Sequence, residues 1–251
     1  MTDSSREVRG RRADIVLVER GFASSRAEAQ AAITAGHVQA DGKAITKPAQ
    51  LLSDAAEIAY APAHPYVSRG ALKLVAALEH FAISPNGLVC LDIGASTGGF
   101  TQVLLECGAA KVYAIDVGHG QLHSKVGHDR RVVSLEGVNA RAVDTAQIPE
   151  PPRLIVADVS FISLKLALPP ALALAPPGAR LVALVKPQFE VGRVKIGKGG
   201  IVNSEVDRIA ARDGITAWLA DDQGWIVEGT MESPIPGGDG NKEYLLAAKK
   251  P

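Results

Sequence analysis

One stretch limits what this chain can fold into more than any other. Val89 to Phe100 reads VCLDIGASTGGF, a short apolar run through Asp92 and Ile93 that breaks at once into glycines. An apolar run without alternation is the pattern of a parallel strand covered on both faces. Gly94, Gly98 and Gly99 then form a small-residue turn. The following TQVLLECG places Val103, Leu104 and Cys107 at helical spacing and stops at Gly108. A strand that passes through a glycine turn into a helix lets a ligand approach the backbone closely and offers it the free amides of the helix start.

KVYAIDVGHGQ supplies a second apolar strand ending in Asp116. An acid about twenty residues beyond the first glycine of such a unit can take both hydroxyls of an adenosine ribose. The dinucleotide fingerprint needs glycine at position 96, where this chain has Ser96, so a nicotinamide or flavin is the weaker reading. GxSxGG behind an acid resembles instead the S-adenosyl-L-methionine motif of class I methyltransferases. The rival reading is an ordinary glycine turn of an α/β protein, and Asp92 and Asp116 together weigh against it. The cofactor-binding candidates are Asp92, Gly94, Ala95, Ser96, Thr97, Gly98, Gly99, Phe100, Asp116, Val117 and Asp158.

The formal net charge is zero, so any nucleic-acid footprint must come from local clusters. Aromatic residues make up 4% of the chain, which disfavours base stacking as the main grip on single strands. Cys90 and Cys107 sit in apolar patterns and read as reduced core residues, which fits a cytoplasmic location. The first residues lack the apolar core of a signal peptide. The most apolar region, residues 162 to 185, is interrupted by Lys165, Arg180 and four prolines, so no membrane span is expected.

Residues 1 to 10 are polar and expected to be loosely attached. Beyond them the chain reads as two helices, the second capped by Ser25 with Glu28 and closed by Gly36. Asp41-Gly42 then joins two short strands as a hairpin, and Glu57 to Tyr60 reads as a further strand. The run from Arg12 to Leu52 resembles the small α+β RNA-binding domain first known from ribosomal protein S4, a resemblance that covers about residues 11 to 60. That resemblance places RNA against Arg12, Arg26, Lys43 and Arg11. Arg26, in the first helical turn, can share a phosphate with free amides, or it can be a solvated helix start.

Residues 62 to 65 break regular structure and are read as a linker between a first domain, 1 to 61, and a second, 66 to 251. The second domain opens with a helix bearing Lys73, with Ser68 as its expected N-cap. Its later strands end in Asp158 and in Lys186, a single helix is expected over 163 to 174, and Glu243 opens the last strand. His119 and His123 have helical metal-ligand spacing but lack a strong third partner, so no metal is expected. The loop after Lys186 is rich in glycine and carries Arg193, Lys195 and Lys198. It can close on a phosphodiester backbone or be an ordinary surface excursion.

A second resemblance covers the remainder. YVSRGALK, LDIGASTGGF, ADVSFISL, VKPQFE, GKGGIV and GNKEYL are similar, in order, to the TlyA family of bacterial rRNA 2′-O-methyltransferases, some of which carry the name hemolysin. Their FtsJ-like domain implies a class I, Rossmann-like α/β sheet with S-adenosyl-L-methionine as cofactor. The family's Lys-Asp-Lys-Glu tetrad falls on Lys73, Asp158, Lys186 and Glu243. It implies that Lys186 acts on the ribose hydroxyl, that Lys73 and Glu243 tune and orient it, and that Asp158 supports Lys186. Arg69, Arg193 and Lys198 join the RNA-contact candidates. The implied partner is ribosomal RNA in ribosomal subunits, with cytidine of the small-subunit RNA, the large-subunit RNA or both as target, and a monomer free of metal and membrane is expected. The alternatives are a ribosome-assembly factor without catalysis and a membrane-lytic hemolysin.

Overall fold

The computed structural model describes residues 10–23, 25–60, 64–237 and 239–251. The loose start expected over residues 1 to 10 lies outside these except for Gly10, and so does half of the expected linker. The chain divides into two compact units, Met1–Pro65 and Tyr66–Pro251.

In the first unit, β1 (Arg11–Arg12) leads into α1 (Ala13–Glu19) and α2 (Arg26–Thr34). These are followed by β2 (Val38–Ala40), β3 (Lys43–Ala44), β4 (Leu51–Leu52) and β5 (Ile58–Tyr60). The Ser25 hydroxyl accepts the Glu28 N–H at 3.2 Å and starts α2. Between β2 and β3, Asp41 and Gly42 have φ of 50° and 72°, the double left-handed turn that matches strand twist in a hairpin. Val16, Leu17, Ala32, Ile33, Val38 and Ile45 close over one small core.

The second unit is a seven-stranded sheet in the order β11-β12-β10-β9-β6-β7-β8. Its strands are β6 (Val89–Ile93), β7 (Lys111–Asp116), β8 (Val132–Glu136), β9 (Leu154–Ala157), β10 (Arg180–Val185), β11 (Ile226–Glu232) and β12 (Tyr244–Lys249). β6 to β10 pair in parallel, while β12 runs antiparallel to both its neighbours. Alternate side chains feed two separate cores. Leu91, Ile93, Ile155 and Ala157 face one, and Cys90, Leu154, Val156 and Val182 face the other. The first core is covered by α6 (Leu164–Ala167), α7 (Pro169–Leu174) and α9 (Glu205–Asp221). The second is covered by α3 (Gly70–His80), α4 (Gly99–Glu106) and the one-turn α5 (Ser124–Gly127). A further single turn, α8 (Pro187–Glu190), follows β10.

Three expectations are corrected. Cys107, expected in the core, is exposed where α4 ends, while Cys90 is buried as expected. The single helix over 163 to 174 is two helices, because Pro169 and Pro170 lack the N–H groups that would continue it. Ser68 is not the cap of α3, which starts behind Arg69 without a side-chain cap. From β8 the chain returns to the middle of the sheet and lays β9 beside β6, so the strand order reverses there. Ligands of open α/β sheets bind at such a reversal, beyond the carboxyl ends of the strands.

Candidate active site

Four ionisable groups are brought to that edge from four elements. Asp158 follows β9, Lys186 follows β10, Glu243 precedes β12, and Lys73 is buried on α3. They form two ion pairs. Lys186 Nζ lies 2.6 Å from Asp158 Oδ1 and also donates to Ser160 Oγ at 2.8 Å. Lys73 Nζ donates to Glu243 Oε2 at 2.5 Å. Each lysine therefore has its own carboxylate, and the direct partners of Lys186 are Asp158 and Ser160.

Both pairs line one cleft of about 330 Å³, together with Ala95, Ser96, Thr97, Gly99 and Phe100 of the glycine turn. Arg69 adds a further positive charge to its wall. A second hollow of about 390 Å³ abuts it and shares Gly94, Ser96, Asp158 and Ser160. This hollow is apolar through Ile93, Ile115, Val138 and Ile162, and it carries Asp116 and Val117 on its rim. Its size is that of a small-ligand pocket.

The turn between the hollows is tightly built. Gly94 has φ of 82°, and a Cβ there would stand 2.6 Å from the Asp158 carbonyl oxygen. Ser96 is also left-handed, with φ of 47°, a conformation that side chains resist. The Asp116 carboxylate holds it by accepting the Ser96 N–H at 2.8 Å, and it takes the Gly118 N–H at 2.8 Å on its other oxygen. Asp92 lies behind the turn, fully buried, and lines neither hollow. One of its oxygens accepts the Thr101 hydroxyl at 2.6 Å and the other has no partner. Burial pushes its carboxyl up to about 7, and the charges of Asp158 and Asp116 push the same way. Gly98 also lines neither hollow and packs against Leu122 and Val126.

These residues fit a cationic nucleoside. An acid, Asp116, lines an apolar slot, and its carboxylate favours a positively charged ligand there. Ser160 and Thr101 are the contributors that sequence reasoning missed. Ser160 had a signal, since it lies two residues past Asp158 at a strand end. Thr101, on the helix behind the turn, had none.

The RNA-contact candidates are spread over both units. Arg12 and Arg26 both donate to Asp14, while Arg11 pairs with Glu19 at 2.6 Å and Asp54 at 2.8 Å. Lys43 is exposed on β3. Arg193 and Lys198 are exposed on the loop after α8, where Lys195 pairs with Asp207 at 2.6 Å. Asn241 anchors that loop by accepting the Val202 N–H and donating to the Gly200 carbonyl. Among the described residues, no group of three His, Cys, Asp or Glu side chains could hold a metal ion.

The FtsJ-like methyltransferase family matches residues 66–250 and the S4 domain matches residues 11–58. Over 94% of its length the chain is 48% identical to the Mycobacterium tuberculosis 16S/23S rRNA (cytidine-2′-O)-methyltransferase TlyA, covering 88% of that protein. It is 41% identical to Hemolysin A of Brachyspira hyodysenteriae, over 93% of this chain and 98% of that one. A solved Streptococcus thermophilus structure that carries a hemolysin name superposes with a TM-score of 0.77 at 40% identity, covering 97% of this chain and 89% of that one. Among the described residues no helix is long and apolar enough to cross a membrane. With an S4 domain in front, an FtsJ-like domain behind and this identity along nearly its whole length, the chain belongs to the TlyA family of rRNA methyltransferases.

Proposed function

We propose that the protein methylates the 2′-hydroxyl of a cytidine ribose in ribosomal RNA, using S-adenosyl-L-methionine as donor. The observation that carries this reading is a cleft holding the Lys186–Asp158 and Lys73–Glu243 pairs with one wall in common with a nucleoside-sized hollow. The names of the relatives point the same way, and the S4 domain is the RNA-holding part.

In that reading the apolar slot takes the adenine, and the Asp116 carboxylate, already steadied by two backbone N–H groups, takes the ribose hydroxyls. Bound there, the donor supplies a methyl group on a positively charged sulfur. The acceptor sugar enters the other cleft, where Arg69 meets its phosphate. Lys186 Nζ hydrogen-bonds the 2′-oxygen and fixes its direction of attack. The proton lost from that oxygen passes to the Asp158 carboxylate, which stands beside Lys186 Nζ. Lys73 and Glu243 form the other ion pair that lines the cleft.

The test is transfer of labelled methyl to purified small and large ribosomal subunits, with the modified nucleotide mapped in each. Lys186→Ala is expected to lose transfer by about a hundredfold or more while binding the donor as the wild type does in calorimetry. Full transfer by that variant would remove Lys186 from the mechanism.

A further inference from the structure

Asp14 is an unusual side chain for the front unit. It is fully buried at the start of α1, yet its carboxyl is held far below the ordinary carboxylate range, first by its hydrogen bonds from Arg12. Arg12 donates from Nε and from Nη2, each at 3.0 Å, one to each carboxylate oxygen. Arg26 Nη2 donates at 2.9 Å and Gln30 Nε2 at 2.8 Å. One buried anion thus gathers two cations from separate elements, the end of β1 and the first turn of α2. Neither arginine is consumed by the contact, since their side chains are 41% and 56% exposed.

We infer that Asp14 is a positioning residue that presents Arg12 and Arg26 as one preformed clamp for RNA phosphates. The inference rests on the RNA-binding reading of the front unit. Two free guanidiniums would repel each other and sample many rotamers, so a phosphate would have to order both on binding. With the carboxylate between them they stand together already, and the group keeps one net positive charge.

Charge alone and positioning predict opposite signs. Deleting an anion from an RNA-binding face should tighten binding if only charge matters. If Asp14 positions the clamp, Asp14→Asn weakens binding although the protein gains a positive charge. The experiment measures binding of the full-length protein to purified ribosomal subunits over a range of salt concentrations. The expected results are about tenfold weaker binding for Asp14→Asn and a fall of about one in the slope of log affinity against log salt. Amide exchange in α2 reports whether the front unit still folds. Arg26→Lys, at a half-open site, keeps every charge and loses the fork geometry, so it decides the matter if the Asn variant unfolds. It is expected to weaken binding in the same sense.

Wild-type or tighter binding by a folded Asp14→Asn protein, or by Arg26→Lys, would overturn the clamp. Failure of the wild type itself to bind subunits would overturn the RNA reading on which the inference stands.

Discussion

Glu243 and Lys73 form the most deeply buried ion pair on the cleft, with side chains 2% and 8% exposed. Lys73→Met would leave the Glu243 carboxylate without the ammonium now 2.5 Å away and out of reach of solvent. Breaking a buried pair from one side costs about 3–5 kcal/mol, because the remaining charge keeps its desolvation penalty and loses its compensation. At about 2–4 °C per kcal/mol for a unit of this size, the melting temperature should fall by about 6–20 °C. Glu243→Leu should do the same from the other side. The double variant, Lys73→Met with Glu243→Leu, removes both penalties together and should melt within a few degrees of the wild type. Melting curves followed by circular dichroism for the four proteins complete the cycle, with methyl transfer measured alongside. Transfer should be lost in all three variants, so the double variant would be stable and inactive. A double variant that melts lower by the sum of the two single effects would refute the reasoning, since the charges would then be acting independently.

Gly94→Ala forces a Cβ to within 2.6 Å of the Asp158 carbonyl oxygen at a φ of 82°. The left-handed backbone adds about 1–2 kcal/mol and the clash about 1–3 kcal/mol. Because the strain displaces Asp158, transfer should fall by about a hundredfold, and near-normal transfer would show that the turn has slack. Asp92 gives a pH signature. Its carboxyl is raised from 3.8 to about 7 by burial, so the folded protein keeps a proton that the unfolded chain releases. Its contribution to stability is complete below about pH 4 and is lost as pH rises through 7. Asp92→Asn removes this titration, so denaturant melts should show its stability gaining on the wild type between about pH 4 and 7. A difference between the two proteins that does not change with pH would contradict the assignment.

The parts of this fold that could be read in advance are those whose cause is local. An apolar run, a glycine turn and a helical repeat are contiguous from Val89 to Cys107, and the hairpin at Asp41-Gly42 needs only two adjacent left-handed residues. The split at Pro169-Pro170 is local too, since two adjacent prolines remove the N–H groups a continuous helix would need. The pairing of β1 with β4 carried no such signal, because two-residue strands have no period and their partners come from opposite ends of the unit. The four charged residues of the cleft could be named from their places at strand ends. Which lysine meets which carboxylate depends on contacts such as Lys73 to Glu243, 170 residues apart, and only the folded sheet decides that.

Asp158 lines both hollows and, with Gly94, Ser96 and Ser160, makes up the partition between them. A single tethered molecule, with a nucleoside in one chamber and a sugar in the other, would need only a short bridge past that side chain. Its second half would bind as an intramolecular event, at the high effective concentration a short linker confers. It would give up its free motion once, where two separate ligands give it up twice. Such a compound would draw its selectivity from the partition itself, which neither half alone can sense.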